Sequence, residues 1–163
     1  MRMMVNNDHT GYNTTRRSCT GFMIFLNTAL VKWISKKQPT VESAVFGAKF
    51  VAMMHGVEKL QGICYKISIM GVPTEGPSYI YGDKMSMIYN TLRPVYVLRK
   101  KLNRICYHFV MEPVATKDFF TSHIPTLENL SNLLTKVMYG QKRHNLLKGV
   151  LCDIYDHDYD NSN

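Results

Sequence analysis

A long helical pattern in the middle of the sequence constrains the fold more than any other feature. From Val45 to Ile67, apolar residues recur at spacings of three and four, which predicts one amphipathic helix over about residues 41–70. Pro39 lies just before this segment, and Gly71-Val-Pro73 ends it. Three internal glycines weaken the helix by up to about 1 kcal/mol each, but they do not interrupt the pattern.

Short runs of β-forming residues lie on both sides of this helix. Residues 21–26 and 30–34 flank a short polar break and predict a β-hairpin, and residues 2–6 are a candidate further strand that is truncated. Residues 78–82 predict a buried strand that runs directly into Asp83. The remaining segments predict a strand at about 118–121 and helices at about 84–91, 98–112, 126–136 and 140–151. Together they predict an α/β or α+β architecture with helices on a central sheet.

Charge is distributed unevenly along the chain. Residues 1–152 contain all 20 Lys and Arg residues against 8 of the 12 acidic residues, a net charge of +12. We predict that they form one domain and that residues 153–163, with four Asp, form a disordered acidic tail. A body this basic favours a polyanionic partner such as nucleic acid, although a solvated surface without a function explains the charge equally well.

The cysteines and the apolar runs indicate an intracellular protein. The four cysteines lie 42 to 46 residues apart and form no Cys-x-x-Cys pair, which argues against a zinc site. The N-terminus has no signal-peptide pattern, and no apolar run approaches the roughly 18 residues of a membrane span. We therefore expect a cytoplasmic or nuclear protein with reduced thiols, no membrane partner and no small-molecule cofactor.

Five segments carry more information together than any of them carries alone. They are Thr15-Arg-Arg-Ser18 with Thr20-Gly21, Trp33-Ile-Ser-Lys-Lys-Gln-Pro-Thr-Val41, Phe46-Gly47 through Phe50-Val-Ala-Met53, Ile105-Cys-Tyr-His108, and Glu128-Asn-Leu130 running to Leu134-Thr-Lys136. In this order and spacing, from about residue 3 to 150, the chain resembles the ribonuclease H domain at the C-terminal end of copia-type retrotransposon Pol polyproteins.

This resemblance implies a fold and a chemistry. The fold would be ribonuclease H-like, with a mixed five-stranded central sheet flanked by helices. Active members of the family cut the RNA strand of an RNA–DNA hybrid. A cluster of acidic side chains holds two Mg²⁺ ions, which activate water and stabilise the leaving oxygen. Because Mg²⁺ requires hard oxygen ligands, the expected acidic positions can be compared with this sequence one by one.

Only one of the four expected acids is present. The Asp-x-Asp pair at the end of the first strand aligns with Asn6 and Asp8, so that Asn6 replaces the metal ligand. The Glu of the long helix aligns with Lys49, and the Asp of the last motif aligns with Asn132. Asp83, after the central strand, is retained as a vestigial catalytic and metal-binding residue.

Lys49 is the most damaging of these replacements. At 4 Å and an effective dielectric constant of about 20, two unit charges interact by roughly 4 kcal/mol, so a divalent ion beside Lys49 would be strongly repelled. Lys84 adds a further cation. Asp8 is a candidate to compensate in part, because residues i and i+2 of a strand share a face. Glu42 is not, since two helical turns, or about 10 Å, separate it from Lys49.

Other polar residues have competing interpretations. Asp83 is either a relic metal ligand or an N-cap of the helix that follows it. We interpret His108 as a packing residue and His123 as a loop residue. The candidate nucleic-acid contacts are all basic: Lys36, Lys37, Arg99, Lys100, Lys101 and Arg104. An exposed loop explains the first two equally well, and a solvated helix face is the slightly favoured interpretation of the other four.

The sequence therefore favours a catalytically impaired or dead ribonuclease H-like domain that retains sequence-independent binding of nucleic acid. Mg²⁺ is the cofactor of the active family, and we expect none to be bound here. The alternative is a weak metal-dependent nuclease using Asp8 and Asp83. Two further hypotheses are an interaction protein that keeps the fold, and a chain whose truncated first strand pairs too poorly for stable folding.

Overall fold

Ten elements make up the part of the chain that the structure, a computed structural model, describes: residues 1–8, 16–39, 41, 45–74, 76–92 and 101–151. They are, in chain order, β1 (Arg2–Asp8), β2 (Cys19–Leu26), β3 (Ala29–Lys37), α1 (Val45–Ile69), β4 (Ser78–Gly82), α2 (Met85–Leu92), α3 (Lys101–Ala115), β5 (Phe119–His123), a 3-10 segment (Leu130–Leu134) and α4 (Gly140–Lys148).

The strands form one mixed sheet in the order β3-β2-β1-β4-β5. The hairpin strands β2 and β3 are antiparallel, as are β1 and β2, whereas β4 pairs in parallel with both β1 and β5. The predicted mixed five-stranded sheet flanked by helices is thus confirmed. The parallel pairing of β1 with β4 has a consequence for the site, because it places the C-terminal ends of these two strands side by side.

Two apolar clusters cover the two faces of the sheet, since successive strand residues point in opposite directions. One cluster joins strand residues to buried residues of α1, among them Met3, Val5, Phe22, Ile80, Phe50, Val57 and Leu60. The second joins the opposite face to the C-terminal segments and contains Met4, Met23, Phe25, Ile124, Leu130 and Leu146. Helix α1 therefore lies on one face of the sheet, and the 3-10 segment and α4 lie on the other.

Several predicted elements require correction. The first strand is not truncated in its pairing: β1 pairs with β2 along all seven of its residues. The helix predicted at 126–136 is a turn followed by the 3-10 segment. His123 is the last residue of β5 and not a loop residue. Helix α3 continues past Pro113 to Ala115, three residues beyond the predicted end. The predicted acidic tail lies outside the described residues.

The side chain of Asn129 explains why the last motif does not form the predicted helix. Its amide oxygen accepts a hydrogen bond from the Ser131 backbone N–H at 3.1 Å, and its amide nitrogen donates to the Val5 carbonyl at 3.1 Å. Such local bonds from Asn compete with the regular helical ladder. Because Val5 belongs to β1, the same side chain also fixes the 3-10 segment against the central strand.

Candidate active site

The candidate site lies where β1 and β4 end next to each other. Val5 and Gly82 are partners in the parallel register, so the next residues, Asn6 and Asp83, emerge side by side. The first turns of α1 bring Lys49 to this edge, and the 3-10 segment brings Asn132 to it from the other face. The structure therefore brings all four aligned positions together.

A continuous set of polar contacts joins these four side chains. The Asn6 amide nitrogen donates to Asn132 Oδ1 at 2.6 Å and to Thr135 Oγ1 at 3.0 Å. Lys49 Nζ donates to Asn6 Oδ1 at 3.5 Å and forms an ion pair with the Asp83 carboxylate. The Lys49 and Asp83 side chains are only 11% and 7% exposed. We call the four side chains together with that of Thr135 the polar network.

The chain is similar in sequence to retrovirus-related Pol polyproteins of plant transposons. The chain is 29% identical over 119 residues to the Pol polyproteins of transposons RE2 and RE1 from Arabidopsis thaliana, a stretch that is 73% of the chain and 8% of each relative. It is 25% identical over 135 residues to the Pol polyprotein of transposon TNT 1-94 from Nicotiana tabacum, which is 83% of the chain and 10% of that relative. No family model matches the chain.

The solved structures fit the fold closely at low sequence identity. LC11-RNase H1 in complex with an RNA/DNA hybrid superposes with a TM-score of 0.61 and 13% identity, over 82% of this chain and 91% of that one. The N-terminal RNase H domain of rv2228c from Mycobacterium tuberculosis gives 0.59 and 7% identity, over 82% and 88%. This chain is a ribonuclease H-fold homologue of copia-type Pol polyproteins.

The ribonuclease H-like domain spans only about a tenth of the length of these curated relatives. Among its described helices, none is both long and apolar enough to cross a membrane. Three cysteines in the described part of the chain, Cys19, Cys64 and Cys106, form no disulfide bond.

The polar network does not fit a Mg²⁺ site, although ribonucleases H generally depend on Mg²⁺. Within the described residues, no three His, Cys, Asp or Glu side chains come together as metal ligands would. The one carboxylate of the network, that of Asp83, is paired with the Lys49 ammonium. The cleft between them, lined by Val5, Asn6, Asn7, Lys49, Asp83 and Met87, has no room for a water molecule. Mg²⁺ usually retains several waters.

Burial and neighbouring charges both act on Lys49. Burial lowers the pKa of its ammonium below the usual value, and the hydrogen bond and charge of Asp83 oppose this shift. The positive charges of Lys136 and Lys84 lower the pKa further. The positive charges of Lys84 and Lys136 therefore act on this site of the ribonuclease H-like domain.

Three further predictions concern Asp8, the capping role of Asp83, and His108. Asp8 ends β1 and makes no side-chain hydrogen bond or ion pair within the described part of the chain. The Asp83 carboxylate pairs with Lys49, and the residue at the start of α2 whose carbonyl accepts from the N–H groups of Met87 and Ile88 is Lys84. His108 is exposed and not packed in the core; its ring meets that of its neighbour Tyr107 at 5.4 Å.

The basic residues predicted to contact nucleic acid are only partly described by the structure. Lys36 and Lys37 end the edge strand β3, exposed and half-buried respectively, and Arg104 is exposed near the start of α3. Arg99 and Lys100 lie outside the described residues, and only the backbone of Lys101 is described.

Sequence reasoning missed three residues that shape the site. Thr135 accepts from Asn6, and its position in the Leu-Thr-Lys motif was the available signal. Asn7 lines the cleft, is 4% exposed, and has no hydrogen-bond partner for either amide atom. Gly21 pairs with Asn6 across the sheet, and a Cβ there would lie 2.5 Å from Thr135 Cγ2. The Thr20-Gly21 motif is thus explained by the close approach of the 3-10 segment.

Proposed function

We propose that this ribonuclease H-like domain binds nucleic acid without regard to sequence and is catalytically dead or severely impaired. The observation that carries the proposal is the buried ion pair between Lys49 and Asp83 at the edge of the sheet. Two-metal cleavage requires negative charge where the metal ions bind. Here the remaining carboxylate is neutralised by an ammonium, and the other aligned positions offer neutral amides.

Charge and fold support the binding half of the proposal. Residues 1–152 carry a net charge of +12, which attracts a phosphate backbone in a sequence-independent way. The fold neighbour LC11-RNase H1 was solved with an RNA/DNA hybrid. We infer that an RNA–DNA hybrid is a ligand of this domain too. A nucleic-acid partner and free thiols fit an intracellular location, cytoplasmic or nuclear.

The test measures cleavage and binding on the same hybrid. A hybrid labelled on its RNA strand is incubated with the protein in Mg²⁺ or Mn²⁺, and binding is followed by fluorescence anisotropy with two unrelated sequences. We expect no cleavage, similar affinities for both sequences, and an affinity that falls as salt rises. Cleavage that disappears in the Asp83→Ala variant would instead establish the alternative, a weak metal-dependent nuclease. A failure of both hybrids to bind would refute the binding half.

A further inference from the structure

We propose that the former metal site now binds a backbone phosphate of nucleic acid directly, with Lys84 and Lys136 as the contacting groups and Lys49 supplying positive charge behind them. This inference rests on the proposed binding of nucleic acid and names the site and the chemical group that it recognises. The charge of the bound group would be the opposite of that in an active ribonuclease H, because a phosphate anion would bind where divalent cations otherwise bind.

The chain places these lysines at the border of the polar network. Lys84 directly follows Asp83, which pairs with Lys49. Lys136 directly follows Thr135, which accepts a hydrogen bond from Asn6. Both lysines are near enough to Lys49 to lower its pKa by charge repulsion. Three lysines against the single carboxylate of Asp83 give the cluster a net charge of +2, which repels a divalent metal ion and attracts a phosphodiester.

Lys84 and Lys136, the proposed contacting residues, differ from Lys49 in how far their side chains are buried. Lys136 is exposed and Lys84 is half-buried, so that both are more accessible to a ligand than Lys49 is. The Lys49 and Asp83 side chains are almost fully buried. Because the cleft itself is closed, the phosphate lies at its mouth.

Lys136 also lines a second surface feature, which suits a further part of a nucleic-acid strand. A cavity of about 230 Å³ has Lys136, Tyr139 and Arg143 in its wall. Tyr139 is 83% exposed and Arg143 is also exposed. Aromatic side chains beside basic ones suit stacking of a base next to a bound phosphate. Lys136 thus belongs to both features, which makes it the most informative residue to change.

The experiment compares single-charge variants on a short labelled RNA–DNA hybrid by fluorescence anisotropy, in EDTA and in Mg²⁺. We expect Lys84→Gln and Lys136→Gln each to weaken binding about tenfold at about 50 mM salt and to reduce the salt slope by about one contact. Asp83→Asn should tighten binding by about threefold or more, because it removes the negative charge behind the site. EDTA should leave the affinity of the unmodified domain unchanged.

Lys66→Gln is the matched control, because Lys66 is an exposed lysine on α1, seventeen residues after Lys49 and therefore about 25 Å along the helix. It should bind like the unmodified domain. The inference is wrong if Lys84→Gln and Lys136→Gln both match this control, if Asp83→Asn weakens binding while its thermal melt is unchanged, or if binding requires Mg²⁺. Binding that persists in all variants would overturn only this inference, whereas absence of binding by the unmodified domain would overturn the proposed function.

Discussion

Asn6 donates a hydrogen bond of 2.6 Å to Asn132 and thereby joins the central strand β1 to the 3-10 segment on the other face of the sheet. Asn132 in turn donates from its own amide nitrogen to the Thr126 carbonyl at 2.6 Å. The side-chain amides of Asn6 and Asn132 each accept a hydrogen bond through the oxygen and donate one through the nitrogen. A carboxylate lacks the donor, so the two asparagines act as structural residues at positions where the resemblance leads us to expect acids.

The first prediction concerns Asn132→Asp, which restores the aligned acid. The new carboxylate cannot donate to the Thr126 carbonyl, and that loss should lower the free energy of unfolding by about 1–3 kcal/mol. Urea denaturation measures the change. Asn145→Asp is the control, because Asn145 accepts a hydrogen bond from Gln141 on the exposed surface of α4 and should change stability by less than about 0.5 kcal/mol. Equal stability of both variants would contradict the structural role of Asn132.

The second prediction concerns the ion pair. Lys49→Met leaves the Asp83 carboxylate buried without its cation and should destabilise the domain by about 3 kcal/mol. Adding Asp83→Asn removes the unpaired buried carboxylate. The double variant should therefore recover most of the lost free energy of unfolding. The two unfolding curves in urea test this coupling. A double variant that is less stable than Lys49→Met alone would show that the pair is not what stabilises this edge of the sheet.

The strands could be predicted from the sequence because they are short apolar runs, as β2 illustrates. The long helix α1 could be predicted because its apolar residues recur at helical spacing. The resemblance predicted that four side chains lie close together, those of Asn6, Lys49, Asp83 and Asn132. It did not predict which of them form an ion pair or hydrogen bonds with one another. The pairing of Lys49 with Asp83 depends on how α1 lies over the end of β4, which no local pattern encodes.

The helix predicted at 126–136 shows a second limit of sequence reasoning. Apolar residues such as Leu127, Leu130 and Leu134 repeat at helical spacing, which made the prediction reasonable. The Asn129 side chain overrides this pattern by bonding both to Ser131 and to the neighbouring strand at Val5. Its partner in β1 is 124 residues away in the sequence. The competition between local and tertiary bonds therefore appears only in the folded chain.

The third prediction concerns Gly21→Ala. A Cβ at this position would lie 2.5 Å from Thr135 Cγ2 and 2.9 Å from Leu134 Cβ, so the 3-10 segment would have to shift away from β2. We expect a loss of about 1–3 kcal/mol in the free energy of unfolding. Gly62→Ala is the opposite case, since nothing lies within 4 Å of a Cβ at this position in α1, and it should stabilise by about 0.5–1 kcal/mol. Thermal melts of the two variants should therefore shift in opposite directions.

The fourth prediction concerns the pH dependence of stability at His55, which lies on α1 beside Lys36, Glu58 and Lys59 in a cavity wall. Burial lowers the pKa of its imidazole below the usual value; Glu58 opposes this shift, and Lys36 and Lys59 add to it. The unfolded chain therefore takes up a proton first as the pH falls, so stability should decrease from the unfolded-state pKa near 6.5 until the folded-state pKa is passed. Urea midpoints of the unmodified domain and of His55→Gln, measured from about pH 7.5 to pH 5, isolate this contribution. The midpoint of His55→Gln should change less over this range, and parallel curves for the two proteins would show that burial does not hold His55 neutral.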